Sequence, residues 1–365
     1  MFQILADQKQ PMPTTRSGSM VPHFPRELLI LLRCNIDAGE LALTNELLGD
    51  ADGVLDAVLR CKVCGAEFRI EDGIALLLAD QLSPEDKHEM SIRDTIDYDP
   101  TNSGPFLPPP DGWRSVLSDI LEVPAHLDEL QTSPASTVLE LACGDGRFTR
   151  LIAETGARIL AVDFSINALR LLAQRLPSGA RVGRVLADIN QLHLANRAFD
   201  RALTLTPLDS RDERMNMFRM IALALTDDGR YVGSFDHDNL SRRLLGLPLM
   251  RRYSKRGILI EHLTTNTMRI EAAPYFRNLR LRPIRPRVPL VAKLPPRWAY
   301  HFLQLIVALP FVRHFGELLL LTARSPVRLP SEGQHRAGNR VAKGVYRSYM
   351  RLKNQEASWG EESVR

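Results

Sequence analysis

From Thr137 onward the chain alternates apolar runs of strand length with segments of helical period, and few folds satisfy that pattern. STVLELAC is followed by a helical stretch after Gly146, RILAVDF by SINALRLLAQRL, ARVGRVLADI by a short connection, and FDRALTLTPL by RDERMNMFRMIALAL; then comes GRYVGSFD. Short runs that are apolar throughout are covered on both faces, so they predict a mostly parallel sheet doubly wound by helices. At 365 residues the chain exceeds the roughly 100–200 residues of a typical domain, which leaves room for a smaller module beside the sheet.

The turn after the first run narrows the function. In VLELACGDGRF, Val138 to Phe148, small residues at Ala142, Gly144 and Gly146 follow a strand and open a helix. The backbone there can approach a ligand closely and offer helix N-terminal N–H groups. A glycine-rich turn alone fits a tight loop or a dinucleotide site equally well. Three acids sharpen the choice. Glu140 precedes the loop, where it would repel a pyrophosphate but accept from a cationic amino group. Asp163 ends the next strand, 17 positions after Gly146, where a carboxylate accepts from paired ribose hydroxyls. Asp188, in VLADI, is placed to address an adenine edge together with neighbouring backbone. All three lie at the carboxyl ends of successive strands, where open α/β sheets bind their ligands.

This constellation resembles the class I S-adenosylmethionine-dependent methyltransferases, whose acidic, small-residue first motif is matched by Glu140, Ala142, Gly144, Asp145 and Gly146. The likeness is clear over residues 136–236 and extends by strand order to Arg324. It implies a mostly parallel, seven-stranded Rossmann-like sheet whose antiparallel last strand is GELLLLTA, and S-adenosyl-L-methionine as cofactor. It also implies that Glu140 and the loop hold the methionine part, Asp163 the ribose and Asp188 the adenine. Ala142 stands where many members have the first loop glycine. A doubly wound domain without this cofactor is the blander alternative, and it leaves Glu140 and Asp188 unexplained.

Four cysteines are too few for a disulfide framework in a chain this long, and three of them cluster near the start, which fits a reducing compartment. Cys34 to Asp37 and Cys61 to Cys64 share the two-residue gap that lets one turn present two ligands to a tetrahedral ion. The layout LLRCNIDAGEL followed by LRCKVCGAEFRIEDGIALLL resembles a short zinc-ribbon domain known as a separate methyltransferase activator and as a fusion ahead of some bacterial methyltransferases. Gly39, Leu41 and the run Glu71, Asp72, Gly73, Ile74 carry that likeness, while Asp37 occupies a cysteine's place. A carboxylate can bind zinc through oxygen, so Cys34, Asp37, Cys61 and Cys64 are the expected ligands of a structural zinc. The alternative is a ribbon that has lost its metal and keeps its cysteines as small apolar residues.

These readings divide the chain into a loose leader over 1–27, a zinc-ribbon-like module over 28–80, a linker and helical lead-in over 81–134, a methyltransferase domain over 135–328, and a polar tail over 329–365. A lid-like insertion spans about 285–314, far longer than a hairpin turn. The expected acceptor pocket lies over TLTPLDS and SFDHDNL, with His237 as candidate base between Asp236 and Asp238, and a solvated loop histidine as its bland reading. Tyr98 is a candidate cover for the cofactor, or simply a packing tyrosine. No Asn/Asp-Pro-Pro-aromatic motif follows the fourth strand, and Cys143 lies within the cofactor loop, which argues against planar amino groups and covalent pyrimidine attack.

Charge is unevenly placed: residues 240–330 hold 17 Lys/Arg against 3 Asp/Glu in a chain whose formal net charge is +4. That segment favours anionic partners. The expected acceptor is therefore a small-molecule or lipid-like substrate, anionic or membrane-associated. RNA stands as the alternative partner through a ribosomal RNA base methyltransferase, DNA is not expected, and a noncatalytic methyltransferase-like scaffold is the reading outside enzymes. The start lacks a secretory pattern, and residues 299–322, broken by Pro310, Arg313, His314 and Glu317, fall short of the roughly 18 uninterrupted apolar residues of a spanning helix. The expected location is the cytoplasm, with room for peripheral contact at a membrane.

Overall fold

A five-residue segment with perfect alternation, EFRIE, illustrates how the amino-terminal strands form: Phe68 and Ile70 point inward while Glu67, Arg69 and Glu71 face solvent. The computed structural model describes residues 22–78, 121–205, 210–247, 250–252, 259–286 and 311–328, with scattered positions between 298 and 309. Tyr98, the residues 1–21, 79–120 and 329–365, and most of the expected lid insertion lie outside the described residues. The chain divides into two compact units, one of residues 1–127 with 131–193, the other of residues 128–130 with 194–365.

In the first unit, β1 (Phe24–Pro25) leads into a short 3-10 helix (Arg26–Leu31), followed by β2 (Leu41–Gly49), β3 (Gly53–Cys61), β4 (Glu67–Glu71) and β5 (Ile74–Leu76). After α1 (Val123–Leu130) come β6 (Thr137–Leu141), α2 (Arg147–Ala153), β7 (Arg158–Asp163), α3 (Ile166–Arg175) and β8 (Arg181–Leu186). Strands β6, β7 and β8 run parallel, with Thr137 opposite Arg158 and Arg158 opposite Arg181. All five residues of β6 are buried, as a strand covered on both faces requires. Ser165 caps α3 by accepting from the Ala168 N–H at 3.2 Å.

The amino-terminal strands do not stand apart from this sheet. Strand β5 pairs in parallel with β8, Ile74 opposite Arg184, so the order is β1-β3-β4-β5-β8-β7-β6 with β2 beside β3. Buried Arg184 locks the junction by donating to the carbonyls of Pro22 at 2.6 Å and Asp72 at 2.7 Å. Gly183 permits the close approach: a Cβ there would lie 2.9 Å from the Phe24 ring.

The second unit contains β9 (Phe199–Leu205), α4 (Arg211–Ala224), β10 (Leu225–Asp236), α5 (Leu240–Leu244), a ribbon of β11 (Met250–Arg252) and β12 (Leu259–Glu261), α6 (Thr265–Ala272), β13 (Phe276–Pro286) and β14 (Gly316–Pro326). Its sheet order is β9-β10-β14-β13; β9 and β10 are parallel, and β14 is antiparallel to both neighbours. Phe218 of α4 meets Tyr231, Phe235 and Phe276 edge-on, and Tyr231 stacks on Phe276 with centroids 5.7 Å apart. Buried Arg214 grips Glu271 through two hydrogen bonds of 2.9 and 3.0 Å, joining α4 to α6.

The expected seven-stranded, mostly parallel sheet is corrected by these strands. Among the described residues eight sheet strands fall in the first unit and four in the second, and the pattern is mixed. The physical reason is the β8 edge: its unpaired backbone groups accept β5, and the antiparallel amino-terminal strands continue the ladder outward. Among the described residues no helix is long and apolar enough to cross a membrane.

Candidate cofactor site and metal cluster

Between β6 and α2 the backbone turns left-handed three times, at Ala142 (φ 54°), Gly144 (φ 55°) and Gly146 (φ 86°). A Cβ at Gly146 would lie 2.2 Å from Leu172 Cδ1, so glycine is what lets α2 pack on α3. A Cβ at Gly144 would meet no described atom within 4 Å, so that side of the loop is open to a ligand.

Glu140 sits in β6 beneath this loop, 1% exposed, and neither carboxylate oxygen has a hydrogen-bond partner among the described residues. Burial lifts its pKa to about 8, and the negative charge of Asp163 adds to the rise. The hydroxyl and backbone N–H of Thr149 lie nearby and oppose the shift without closing a hydrogen bond. An orphaned buried carboxyl is costly unless a donor or cation arrives to meet it.

Asp163 ends β7 and is oriented from both sides: Oδ2 accepts from the Gly144 N–H at 2.8 Å, and Oδ1 from the Ser165 N–H at 2.9 Å. Asp188 lies two residues beyond β8, half-buried, with Oδ1 accepting from the Asn190 N–H at 2.8 Å. Asp145 is turned elsewhere, into an ion pair with Arg175 at the end of α3. Cys143 is buried, and burial together with the surrounding acids holds its thiol protonated. Thr149, Ser165 and Arg175 were not anticipated as part of this site. Ser165 was detectable as a helix cap before an apolar period, but Thr149 and Arg175 carry no local signal.

In the same unit the structure brings Cys34, Asp37, Cys61 and Cys64 together, with candidate ligand atoms all within 4.8 Å of one another. The Cys34 and Cys64 sulfurs are 3.7 Å apart, near the roughly 3.8 Å edge of a tetrahedron with zinc–sulfur bonds of about 2.3 Å. Asp37 Oδ1 lies 3.3 Å from Cys61 Sγ, against roughly 3.5 Å for a tetrahedral zinc with one oxygen ligand. The backbone N–H groups of Ile36 and Val63 point at Cys34 and Cys61 sulfur, each at 3.4 Å, as in paired knuckles. Gly39 donates to Asp37 Oδ1 at 2.8 Å, leaving the buried Oδ2 without a partner among the described residues. The donor set and its spacing fit zinc.

In the second unit His237 follows β10 and is 5% exposed. Its Nδ1 is 2.8 Å from the Gly316 carbonyl, which only accepts, so Nδ1 carries the proton and Nε2 presents a lone pair. Burial lowers its pKa below the usual value. The flanking Asp238 serves Arg243, at 3.0 Å, and not the imidazole. Residues 206–209, part of the expected acceptor wall, lie outside the described residues.

Residues 138–229 match the family described as a methyltransferase domain. Demethylmenaquinone methyltransferase of Thermobifida fusca (strain YX) is 34% identical over 90 residues, covering 24% of this chain and 34% of that protein. The chain thus spans about a third of the length of the curated relative it matches. Phosphoethanolamine N-methyltransferase 2 of Haemonchus contortus, solved with phosphomonomethylethanolamine and S-adenosylhomocysteine, is 15% identical, covering 66% of this chain and 61% of that one, with a TM-score of 0.45. Burkholderia thailandensis 1,6-didemethyltoxoflavin-N1-methyltransferase, solved with 1,6-didemethyltoxoflavin and S-adenosylhomocysteine, is 18% identical, covering 77% and 99%, with a TM-score of 0.40. At those identities neither structure assigns a substrate or a residue's role. Over those residues strands and helices alternate as in a Rossmann-like α/β fold.

Proposed function

We propose that this chain is an S-adenosylmethionine-dependent methyltransferase acting on a small or lipid-like acceptor, with a zinc-ribbon-like module built into the start of its first unit. The observation that carries the reading is Glu140: a fully buried, partnerless carboxyl directly beneath a loop open at Gly144. A sulfonium cofactor with an amino-acid end supplies the missing cation, whereas a pyrophosphate would aggravate the charge.

In this reading Glu140 accepts from the cofactor's amino group, and the Gly144 turn lets the backbone approach its methionine part. Asp163, already aimed by Gly144 and Ser165, takes the ribose hydroxyls, and Asp188 takes the adenine edge. Asp145 supports the loop through Arg175 and does not touch the cofactor. When bound, the cofactor supplies a methyl group on a positively charged sulfur, activated for in-line displacement. His237 is the proposed proton acceptor, because its tautomer leaves Nε2 basic and its burial keeps the ring neutral. Cys34, Asp37, Cys61 and Cys64 hold a structural zinc; four protein ligands leave no open position, so the metal takes no part in methyl transfer.

Titration calorimetry with S-adenosylmethionine and S-adenosylhomocysteine tests the assignment. Wild type is expected to bind both, and Glu140→Gln and Asp163→Ala to bind at least about tenfold more weakly. No affinity in wild type, or Asp163→Ala indistinguishable from a binding wild type, overturns it.

A further inference from the structure

We propose that the surface carried by α5 and by the segment leading into β14 docks on an anionic lipid bilayer. The inference uses the methyltransferase reading only for its purpose, delivery of a lipid-like acceptor; the docking itself stands on surface chemistry.

Helix α5 buries none of its residues. Leu244 and Leu245, at its end, are 74% and 72% exposed, and the chain then turns through Gly246. Asn239, which caps α5, donates to the Phe315 carbonyl at 3.4 Å, so this helix adjoins the 3-10 turn Val312–Phe315. Among the described positions before that turn, Trp298 and Leu305 are each 69% exposed and Phe311 is 61%, while Leu303 is buried. Of the fifteen exposed large apolar side chains among the described residues, ten fall between 240 and 311. Soluble surfaces scatter such residues singly, and a concentration of this kind marks an interaction face.

Charge selects the partner. Residues 240–330 hold 17 Lys/Arg against 3 Asp/Glu, leaving 30 against 40 in the rest of the chain. An anionic surface therefore attracts this segment and not the remainder of the chain. RNA would satisfy the arginines but offers nothing to exposed leucines. The boundary between lipid headgroups and acyl chains satisfies both, taking up leucine and tryptophan side chains while the basic groups stay among phosphates.

The test is co-sedimentation of the full chain with phosphatidylcholine vesicles containing about 30% phosphatidylglycerol, in about 0.1 M NaCl, without cofactor. Most of the protein is expected to pellet with these vesicles and little with phosphatidylcholine alone, and raising the salt to about 0.5 M is expected to release it. A blue shift of tryptophan emission on binding is expected to vanish in Trp298→Phe. The double variant Leu244→Ser, Leu245→Ser is expected to keep its melting temperature, because both side chains are exposed, and to bind vesicles at least about tenfold more weakly. Equal binding to neutral and anionic vesicles, equal binding by the double variant, or binding to single-stranded RNA with none to vesicles overturns the proposal. Because no cofactor is present, docking holds or fails apart from the methyltransferase reading.

Discussion

The backbone N–H of Gly144 donates to Asp163 Oδ2 at 2.8 Å, tying the loop after β6 to the end of β7. One carboxylate thus has two tasks, since Oδ1 also receives the Ser165 N–H at the start of α3. Asp163→Ala removes both acceptors and leaves two N–H groups unpaired, a loss of about 1–3 kcal/mol in stability. Asp163→Asn keeps the acceptor for one of them and is expected to retain more of the fold. Both are expected to lose cofactor affinity. Urea denaturation beside calorimetry separates the tasks; an alanine variant as stable as wild type would falsify the structural one.

Glu140 predicts an unusual dependence on pH. Below about pH 4.5, its ordinary value, folded and unfolded chains both hold the proton and the residue costs nothing. As pH rises from there to about 8, the unfolded chain releases the proton while the folded chain keeps it, so stability falls, by up to about 1.4 kcal/mol per pH unit. Above that the folded form ionises too and the decline stops. Glu140→Gln should therefore be more stable than wild type at pH 8 and no different near pH 4. Cofactor binding should release a proton near neutral pH, because a cation beside the carboxyl favours its ionised form. Calorimetry in buffers of different ionisation enthalpy measures that proton, and none released at pH 7 would contradict the pairing.

Ala142 departs from the glycine that resembling enzymes carry, yet its backbone is left-handed, φ 54°. That conformation costs a residue bearing a Cβ about 1–2 kcal/mol, and glycine's extra freedom in the unfolded chain returns about 0.5–1 kcal/mol of the gain. Ala142→Gly is thus expected to stabilise the protein modestly, by about 0.5–1 kcal/mol. A lower denaturation midpoint in the glycine variant would refute it.

What could be read in advance follows from how local each signal is. Strands β6, β7 and β8 and their helices were legible because apolar period is written within a dozen residues. The placement of Glu140, Asp163 and Asp188 at or near strand ends was legible because distance from a strand end is a local quantity. The pairing of β5 with β8 was not, since Ile74 and Arg184 are far apart in sequence and nothing near either names the other. Asp145 belongs to the same class: its motif position suggests the cofactor, but Arg175, 30 residues on, claims the carboxylate. For the Cys/Asp cluster, spacing foretold which four side chains come together, and only the folded chain shows Asp37 Oδ1 3.3 Å from Cys61 sulfur.

That cluster makes a direct prediction about metal content. Wild type is expected to retain about one zinc per chain after dialysis, Asp37→Ala less, and Asp37→Cys at least as much, because a fourth thiolate suits zinc. Chelation should lower the melting temperature, since the two knuckles hold β2 and β3 together at Leu41 and Cys61. Elemental analysis decides: equal zinc in wild type and Asp37→Ala shows the carboxylate is not a ligand, and no zinc in either marks the ribbon as a relic.

His237 was singled out for its flanking aspartates, but the group that orients it is the Gly316 carbonyl, 79 residues away. A carbonyl can only accept, so the ring must keep its proton on Nδ1, leaving Nε2 free to take one from a substrate. Burial favours the neutral ring, so its pKa lies below the ordinary 6.5. As pH falls below that value the unfolded chain takes up a proton first, and stability declines toward acid. Nitrogen-15 NMR of the labelled imidazole reads the tautomer directly: at pH 7 Nδ1 should show the protonated shift and Nε2 the unprotonated one. His237→Gln should lose methyl transfer by about 100-fold or more while cofactor affinity stays nearly constant. The opposite tautomer at pH 7, or full methyl transfer by the glutamine variant, would remove His237 from the proposed chemistry and leave it a packing residue at the end of β10.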